Sequence, residues 1–183
     1  MTTRSLEDLV EEADLLAALH DEDWSRRAWA ASHPRATERV LLRAVSAEDP
    51  HLRWLAVRHP SATEAVLHAG VRDPDVDVAR AAVRHKNATP DVIRRAVALD
   101  RPAVVRAAAA RHQNLTRDVA LALFAREKHP AVFSSLAANQ NLPDEVRAVA
   151  ARRERAFSSR PVPEVPAVTP QPQHDAPGLE TGR

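Results

Sequence analysis

The feature that most constrains this chain is a sequence motif that returns every 26 or 27 residues. It reads AASHPRATERVL, AVRHPSATEAVL, AVRHKNATPDVI and AARHQNLTRDVA in four places, and a fifth, weaker copy reads AANQNLPDEVRA. We call the central His or Asn the anchor of its repeat unit. The five anchors are His33, His59, His85, His112 and Asn139. A fixed period of this length is typical of stacked helical repeats.

Each unit predicts two short helices, one on either side of the anchor. Positions seven, four and three residues before the anchor share a helical face, and they hold Leu52, Leu55 and Ala56 in one unit. A first helix therefore ends at the anchor. A second helix begins at the Thr four residues later, because a Thr hydroxyl accepts from first-turn N–H groups. Helices of about ten residues are unstable alone in water, so we predict an all-α solenoid of about five 26–27-residue two-helix repeats.

Both ends of the chain differ from the repeats. Residues 1–20 predict an acidic, amphipathic helix with Ser5 as its N-cap, which covers the first unit as a half-repeat. The repeat domain then spans residues 21–157. Residues 158–183 are rich in proline and have no periodic pattern, so they predict a disordered tail.

The composition excludes several functional classes. The chain has 183 residues and no Cys, so it has no disulfide, thiolate metal site or Cys nucleophile. Three Gly cannot form a glycine-rich nucleotide loop. No apolar run is long enough for a membrane span, and the first residues are acidic rather than basic as in a secretory signal. We therefore expect a cytoplasmic protein with no cofactor and no membrane contact.

The stretches DPHLRWLAVRHPSATEAVL (49–67) and DPDVDVARAAVRHKNATPDVI (73–93) resemble the leucine-rich repeat variant (LRV) family. The resemblance covers about residues 21–155. It implies a right-handed superhelix of alternating α- and 3₁₀-helices, related to HEAT and armadillo solenoids. This chain has His where the family usually has Asn, and its units are longer. The Cys-ligated Fe–S module of the founding member does not carry over, because Cys is absent.

The anchors are candidate metal ligands, but their spacing favours a structural role. Stacked helices lie about 8–10 Å apart, whereas zinc–nitrogen bonds are about 2.0–2.1 Å, so two anchors could reach one ion but three or four cannot converge on it. Asn139 replaces His in the fifth unit, and both side chains donate and accept hydrogen bonds. We predict that the anchors form a ladder that satisfies backbone groups at the turns, and we assign no metal site.

The outward face of the first helices supplies the candidate binding residues. Residues 21–155 hold 23 Lys and Arg against 17 Asp and Glu. Stacking aligns the Arg residues into a basic ridge that contains one Trp, although a solvated face that reflects an Arg-rich composition is the alternative. The predicted ridge consists of Arg53, Trp54, Arg58, Arg80, Arg84, Arg106 and Arg111. Trp29 falls on the apolar face and is predicted to be core, and Trp24 is predicted to cover the first interface.

These observations predict a non-enzymatic scaffold that binds a protein or peptide partner with acidic groups through the ridge. The alternative is a HEAT-like module that binds nucleic acid with the same residues. An enzyme of the HEAT-like DNA glycosylase type is a weaker third class. We assign no catalytic residue, because no acid, base and nucleophile share a recognisable spacing.

Overall fold

A computed structural model describes residues 10–98 and 101–159, and within these ranges the protein is all-helical, with eleven α-helices and no strand. The helices are α1 (Glu12–Ala18), α2 (Trp24–Ser32), α3 (Glu38–Ala44), α4 (Pro50–Arg58), α5 (Glu64–Val71), α6 (Val76–Arg84), α7 (Pro90–Ala96), α8 (Ala103–Ala110), α9 (Arg117–Arg126), α10 (Pro130–Ala137) and α11 (Asp144–Ser158). From α2 onwards they form pairs, with an anchor between the two helices of each pair.

Local sequence sets where the first helices begin and end. An Asp side chain caps α2, α4 and α6 by accepting a hydrogen bond from the backbone N–H two residues later. These caps are Asp23, Asp49 and Asp75. Each of the three helices ends at a His anchor whose backbone is extended, which turns the chain towards the second helix.

The second helices begin at the predicted Thr residues. The hydroxyls of Thr37, Thr89 and Thr116 accept from the N–H of the Val three residues later. Thr63 is also an N-cap residue but lacks this hydrogen bond, and its hydroxyl donates to Glu38 at 2.8 Å. Within the described ranges both helices of each pair are α-helices, so the 3₁₀-helices that the LRV resemblance implied are not found there.

Packing joins neighbouring pairs in chain order. The first helices contact one another from α2 to α4, α6, α8 and α10, and the early second helices do so from α1 to α3, α5 and α7. The Val seven residues after each anchor is buried in every pair. These residues are Val40, Val66, Val92, Val119 and Val146. Full burial of one such side chain contributes about 1.5–3 kcal/mol, so the second-helix register is strongly specified.

The buried face of the first helices is rotated from the predicted one. In α4, Leu52, Ala56 and Val57 are buried, whereas Leu55 is only half-buried. In α6 the residue six before the anchor, Ala79, is also fully buried. At 100° per residue, the buried face is centred roughly 75° from the face predicted around the positions seven, four and three before the anchor. The position six before the anchor therefore faces the interior.

One close helix crossing depends on a glycine. A Cβ atom at Gly70 would lie 2.5 Å from Val57 Cγ1 and 2.8 Å from Ala82 Cβ. Both distances are shorter than carbon atoms tolerate, and both neighbours are rigid, buried side chains. Gly70 therefore lets α5 lie directly against α4 and α6.

The described ends adjust the predicted boundaries. Ser5 lies outside the described residues, and α1 begins at Glu12, where the Glu11 N–H donates to Asp14 Oδ2 at 3.0 Å. At the other end α11 continues to Ser158, one residue beyond the predicted repeat domain, and the predicted tail from residue 160 lies outside the described ranges. No helix in the described ranges has the length and apolarity that crossing a membrane requires.

Candidate binding groove

Three arginines stand at the ends of successive first helices. Arg58 and Arg84 are the last residues of α4 and α6, and Arg111 is the C-cap of α8. All three are exposed. None forms an ion pair with another described residue, so their charges are available to a ligand.

A groove of about 880 Å³ lies between α4 and α6. Apolar side chains contribute much of its lining: Pro50, Trp54, Pro60, Val78 and Ala81. Four cationic side chains also line it: Arg58, Arg80, Arg84 and Lys86. Two carboxylates, Asp75 and Asp77, complete its polar wall. The groove thus combines an apolar surface with an excess of positive charge.

The groove continues towards α8. A second depression of about 560 Å³ is lined by Arg84 and Lys86, which it shares with the first, and by Val104, Ala107 and Arg111. The two depressions together place Arg58, Arg84 and Arg111 along one continuous surface. An extended ligand can therefore contact three successive units.

Trp54 is the aromatic residue of the groove. Its ring is half-buried, and the Arg58 guanidinium carbon lies 4.3 Å from the ring centroid. This cation–π contact holds the Arg58 guanidinium over the ring, and both side chains line the groove. Trp54 Nε1 donates no hydrogen bond to a described residue.

Arg80 lines the groove but is partly neutralised. Its Nη2 lies 2.7 Å from Asp77 Oδ1, one helical turn earlier. Asp75 is occupied by capping, since its Oδ1 accepts from the N–H groups of Asp77 and Val78. The two carboxylates therefore have structural roles in α6, and both place negative charge beside the groove.

Two residues of the predicted ridge are largely buried, so the prediction that their side chains lie on the outward face is wrong. Arg53 and Arg106 occupy the inward position six residues before the anchor, and their side chains are only 14% and 12% exposed. Each reaches the start of the next first helix and pairs there with a buried carboxylate. Arg53 binds Asp73 at 2.6 and 2.9 Å, and Arg106 binds Glu127 at 2.7 and 3.0 Å.

Both pairs are bidentate and carry further hydrogen bonds. Arg53 also donates to the carbonyls of Ala47 and Glu48. Its hydrogen bond to Asp73, opposed by burial, raises the pKa of Arg53 above its ordinary value. Burial would raise the pKa of Glu127, but the hydrogen bond from Arg106 and those from two backbone N–H groups hold it below its usual range.

The sequence contained a signal for these pairs that the helical-face argument missed. Asp73 and Glu127 both stand twelve residues before their anchors. An Arg in one unit is matched by a carboxylate at this position in the next. Arg27, which faces Ala47 there, bonds instead to the carbonyls of Asp21 and Glu22.

The His anchors form hydrogen bonds within their own turn and to the backbone of the preceding unit. The Nδ1 atom of each His anchor accepts from the backbone N–H two residues later, as at His85, where Asn87 donates at 3.1 Å. Since Nδ1 accepts, Nε2 carries the proton. It donates to the carbonyl of the preceding anchor, at 3.0 Å from His59 to His33 and 3.1 Å from His85 to His59.

Asn139 reproduces this arrangement with different atoms. Its Oδ1 accepts from the Asn141 N–H at 3.0 Å, and its Nδ2 donates to the carbonyls of Ala110 and His112. The interchange of His and Asn is thus explained by hydrogen bonding. Burial lowers the pKa of His85 and His112, which favours the neutral ring that this geometry needs.

The other two tryptophans lie near the first units. Trp29 is 44% exposed, so its prediction as core is wrong. It stands four residues before its anchor, a position that the rotation of the buried face turns towards solvent, and its ring meets His33 edge-on at 5.0 Å. Trp24 is exposed, but its Nε1 donates to Asp49 at 2.9 Å and so reaches the start of α4.

Two further groups of residues were not identified from the sequence. Lys86 joins the groove because it follows the His85 anchor directly, on the same side as Arg84. Glu64, His68 and Asp91 bring three potential ligand atoms within 4.8 Å of one another on α5 and α7. The spacing of Glu64 and His68 by one helical turn was the available signal, but Asp91 comes from the next unit.

Comparisons of this chain with protein-family models, with curated proteins and with solved structures find no match. The residues themselves define its class. Over the described ranges it is an all-helical protein of successive helix pairs, with a basic, partly apolar groove across α4, α6 and α8.

Proposed function

We propose that this chain is a non-enzymatic repeat scaffold that binds an acidic segment of a partner protein in the groove. The observation that carries the proposal is the row of Arg58, Arg84 and Arg111, which form no ion pair with a described residue, along a surface that also presents Trp54. Aromatic and Arg side chains are the residues that dominate the energetics of protein interfaces.

The scaffold is an LRV/HEAT-like α-solenoid with a right-handed course and about five repeats, in which α-helices replace the 3₁₀-helices of LRV proteins. Support comes from first helices that contact one another in chain order and from anchor hydrogen bonds that recur at a separation of 26 residues. In a solenoid each unit contacts only its neighbours, and the aligned surfaces form one extended binding face.

The groove sets the chemistry of the ligand. Successive first helices lie about 8–10 Å apart, and an extended strand rises about 3.3 Å per residue. Carboxylates about three residues apart on an extended segment therefore match successive Arg side chains. Each pairing is a charge-assisted hydrogen bond, which an Arg fork makes in bidentate form. An apolar side chain between the carboxylates packs against Trp54 or Pro60, which both line the groove.

Asp75 and Asp77 favour an acidic protein segment over nucleic acid. A phosphate backbone carries a charge on every nucleotide, so some phosphates would face these carboxylates. A peptide can place neutral residues there. The two carboxylates also have capping and ion-pair partners, which supports a binding role for the groove rather than a catalytic one.

The test is a fluorescence-polarisation titration with a labelled peptide that carries Glu at every third residue and Leu between. We expect saturable binding that is lost in the triple variant Arg58→Glu/Arg84→Glu/Arg111→Glu. A matched control reverses three exposed arginines outside the groove, namely Arg72, Arg95 and Arg117. The control has the same net charge as the groove variant, so it separates local contact from overall electrostatic attraction.

Duplex and single-stranded DNA of similar length are titrated in parallel at several salt concentrations. Tighter binding of either DNA than of the peptide, with a steep salt dependence, would favour the nucleic-acid alternative. Equal peptide binding by the groove variant and the control would refute the groove as the binding site. Quenching of Trp emission by the peptide, absent in Trp54→Phe, would place the ligand beside Trp54.

A further inference from the structure

A second cluster of chemically reactive groups lies away from the groove, between α5 and α7. His68 Nε2 is 3.3 Å from Glu64 Oε1 and 3.3 Å from Asp91 Oδ2. The three potential ligand atoms all lie within 4.8 Å of one another. Glu64 and His68 are one turn apart on α5, and Asp91 lies in the first turn of α7 in the next unit.

The distances fit a tetrahedral metal ion. Ligand atoms about 2.0–2.1 Å from a zinc ion are separated by roughly 3.3 Å along each edge of the tetrahedron. Both distances from His68 Nε2 have this value. A small rotation of the exposed carboxylates brings the third edge to the same length.

The distances fit hydrogen bonding less well. Charge-assisted N–H···O bonds are about 2.7–2.9 Å long, and the single Nε2 proton cannot serve two carboxylates at full strength. His68 Nδ1 is buried and has no hydrogen-bond partner among the described residues.

Neighbouring side chains hold the carboxylates in place. The Thr89 hydroxyl donates to Glu64 Oε1 at 2.8 Å. Arg94 pairs with Asp91 Oδ1, which leaves Asp91 Oδ2 directed at His68. Partners of this kind orient the ligands of metal sites.

The cluster is specific to one junction between units. The residue nine after the anchor is Leu42, His68, Arg94 and Leu121 in the first four units. Only His68 can supply a ligand nitrogen at this position. The repeat architecture does not need a His there, and Leu at the equivalent sites shows what the fold accepts.

We propose that Glu64, His68 and Asp91 form a site for a zinc ion or a similar divalent transition metal, which links α5 to α7. Imidazole nitrogen selects such ions over Mg²⁺ and Ca²⁺, which prefer all-oxygen ligands. Water occupies the fourth position. The bound ion ties two neighbouring units together, so it stabilises the folded chain by mass action. This proposal is independent of the groove.

The test is isothermal titration of ZnCl₂ into the chain without an affinity tag, with MgCl₂ as a second titrant. We expect one zinc site and no Mg²⁺ binding. His68→Leu, which copies Leu42 and Leu121, should weaken zinc binding at least about tenfold, as disturbing a metal site typically does. The matched control is His51→Leu, because His51 lies 3.3 Å from one carboxylate, that of Asp49, and should bind zinc as the unmodified chain does.

Thermal unfolding followed by circular dichroism provides a second readout. Zinc should raise the Tm of the unmodified chain and of His51→Leu but not that of His68→Leu. If His68→Leu fails to fold, Glu64→Gln, which keeps the acceptor for Thr89, decides the matter through its weaker zinc binding. Absent zinc binding, or equal zinc binding by the His68 and His51 variants, overturns the proposal.

Discussion

Replacing Arg53 with methionine should destabilise the protein without weakening peptide binding. Methionine retains the aliphatic volume of the side chain but removes the guanidinium. Arg53 is 14% exposed and Asp73 only 4%, so the Asp73 carboxylate would remain buried without its charged partner. The carbonyls of Ala47 and Glu48 would also lose a donor.

The magnitude follows from this burial. Removing one partner of a buried ion pair costs about 3–5 kcal/mol, because the remaining charge is uncompensated. Asp73 keeps one hydrogen bond, from the Asp75 N–H at 2.8 Å, which places the expected loss near the lower end of that range. The double variant Arg53→Met/Asp73→Ala should lose about 0.5–3 kcal/mol less unfolding free energy than the two single variants lose together. Alanine fits there in at least one unit, since Ala47 occupies the equivalent position.

The assay is urea unfolding followed by far-UV circular dichroism, with the peptide titration run on the same preparations. Arg58→Met is the control, because Arg58 is exposed and its loss should change stability by no more than about 0.5 kcal/mol. We expect each variant to change one quantity and leave the other as it was: Arg53→Met lowers stability, and Arg58→Met lowers affinity for the peptide. An Arg53→Met protein as stable as Arg58→Met would refute the inward assignment of this position.

Two further predictions concern the turns and the helix crossing. Burial lowers the pKa of His85, so the stability it contributes is present above its unfolded pKa of about 6.5 and is lost as the pH falls below that value. In His85→Asn, which copies the bonding of Asn139, the free energy of unfolding measured with urea should therefore fall less as the pH is lowered. An unchanged pH dependence would contradict the assigned tautomer. Gly70→Ala should lower the Tm, with a cost of about 1–3 kcal/mol from overpacking against Val57 and Ala82, even though Ala favours helix. A raised Tm would show that α5 can move away from α4 and α6 without a cost in stability.

Much of the local structure could be predicted because its causes are local. The repeat period, the Thr caps and the buried Val of each second helix depend on residues within one unit. The interchange of His and Asn indicated a hydrogen-bonding role for the anchors. The sequence did not show which backbone carbonyl each ring meets, since that carbonyl belongs to the preceding unit, 26 residues away at His59 and His85.

The groove was only partly predictable. Arg58, Arg84, Arg111 and Trp54 stand on the face opposite both the predicted and the observed buried face, so a moderate error in helix rotation left them outside. Arg53 and Arg106 lie just outside the predicted buried face but within the observed one, so the same error changed their environment from solvent to interior. Both arginines lie on helices of eight or nine residues, little more than two turns, so few apolar side chains define the buried face.

Capping and apolar periodicity act within a few residues, so the sequence alone indicated that the local elements are helices and where the Thr-capped helices begin. The tertiary structure decided how far each first helix is rotated, and therefore which arginines are buried as ion pairs and which line the groove. It also brought Asp91 to Glu64 and His68. Both results depend on how one unit stacks on the next, and that packing is set by contacts between residues 20 or more positions apart.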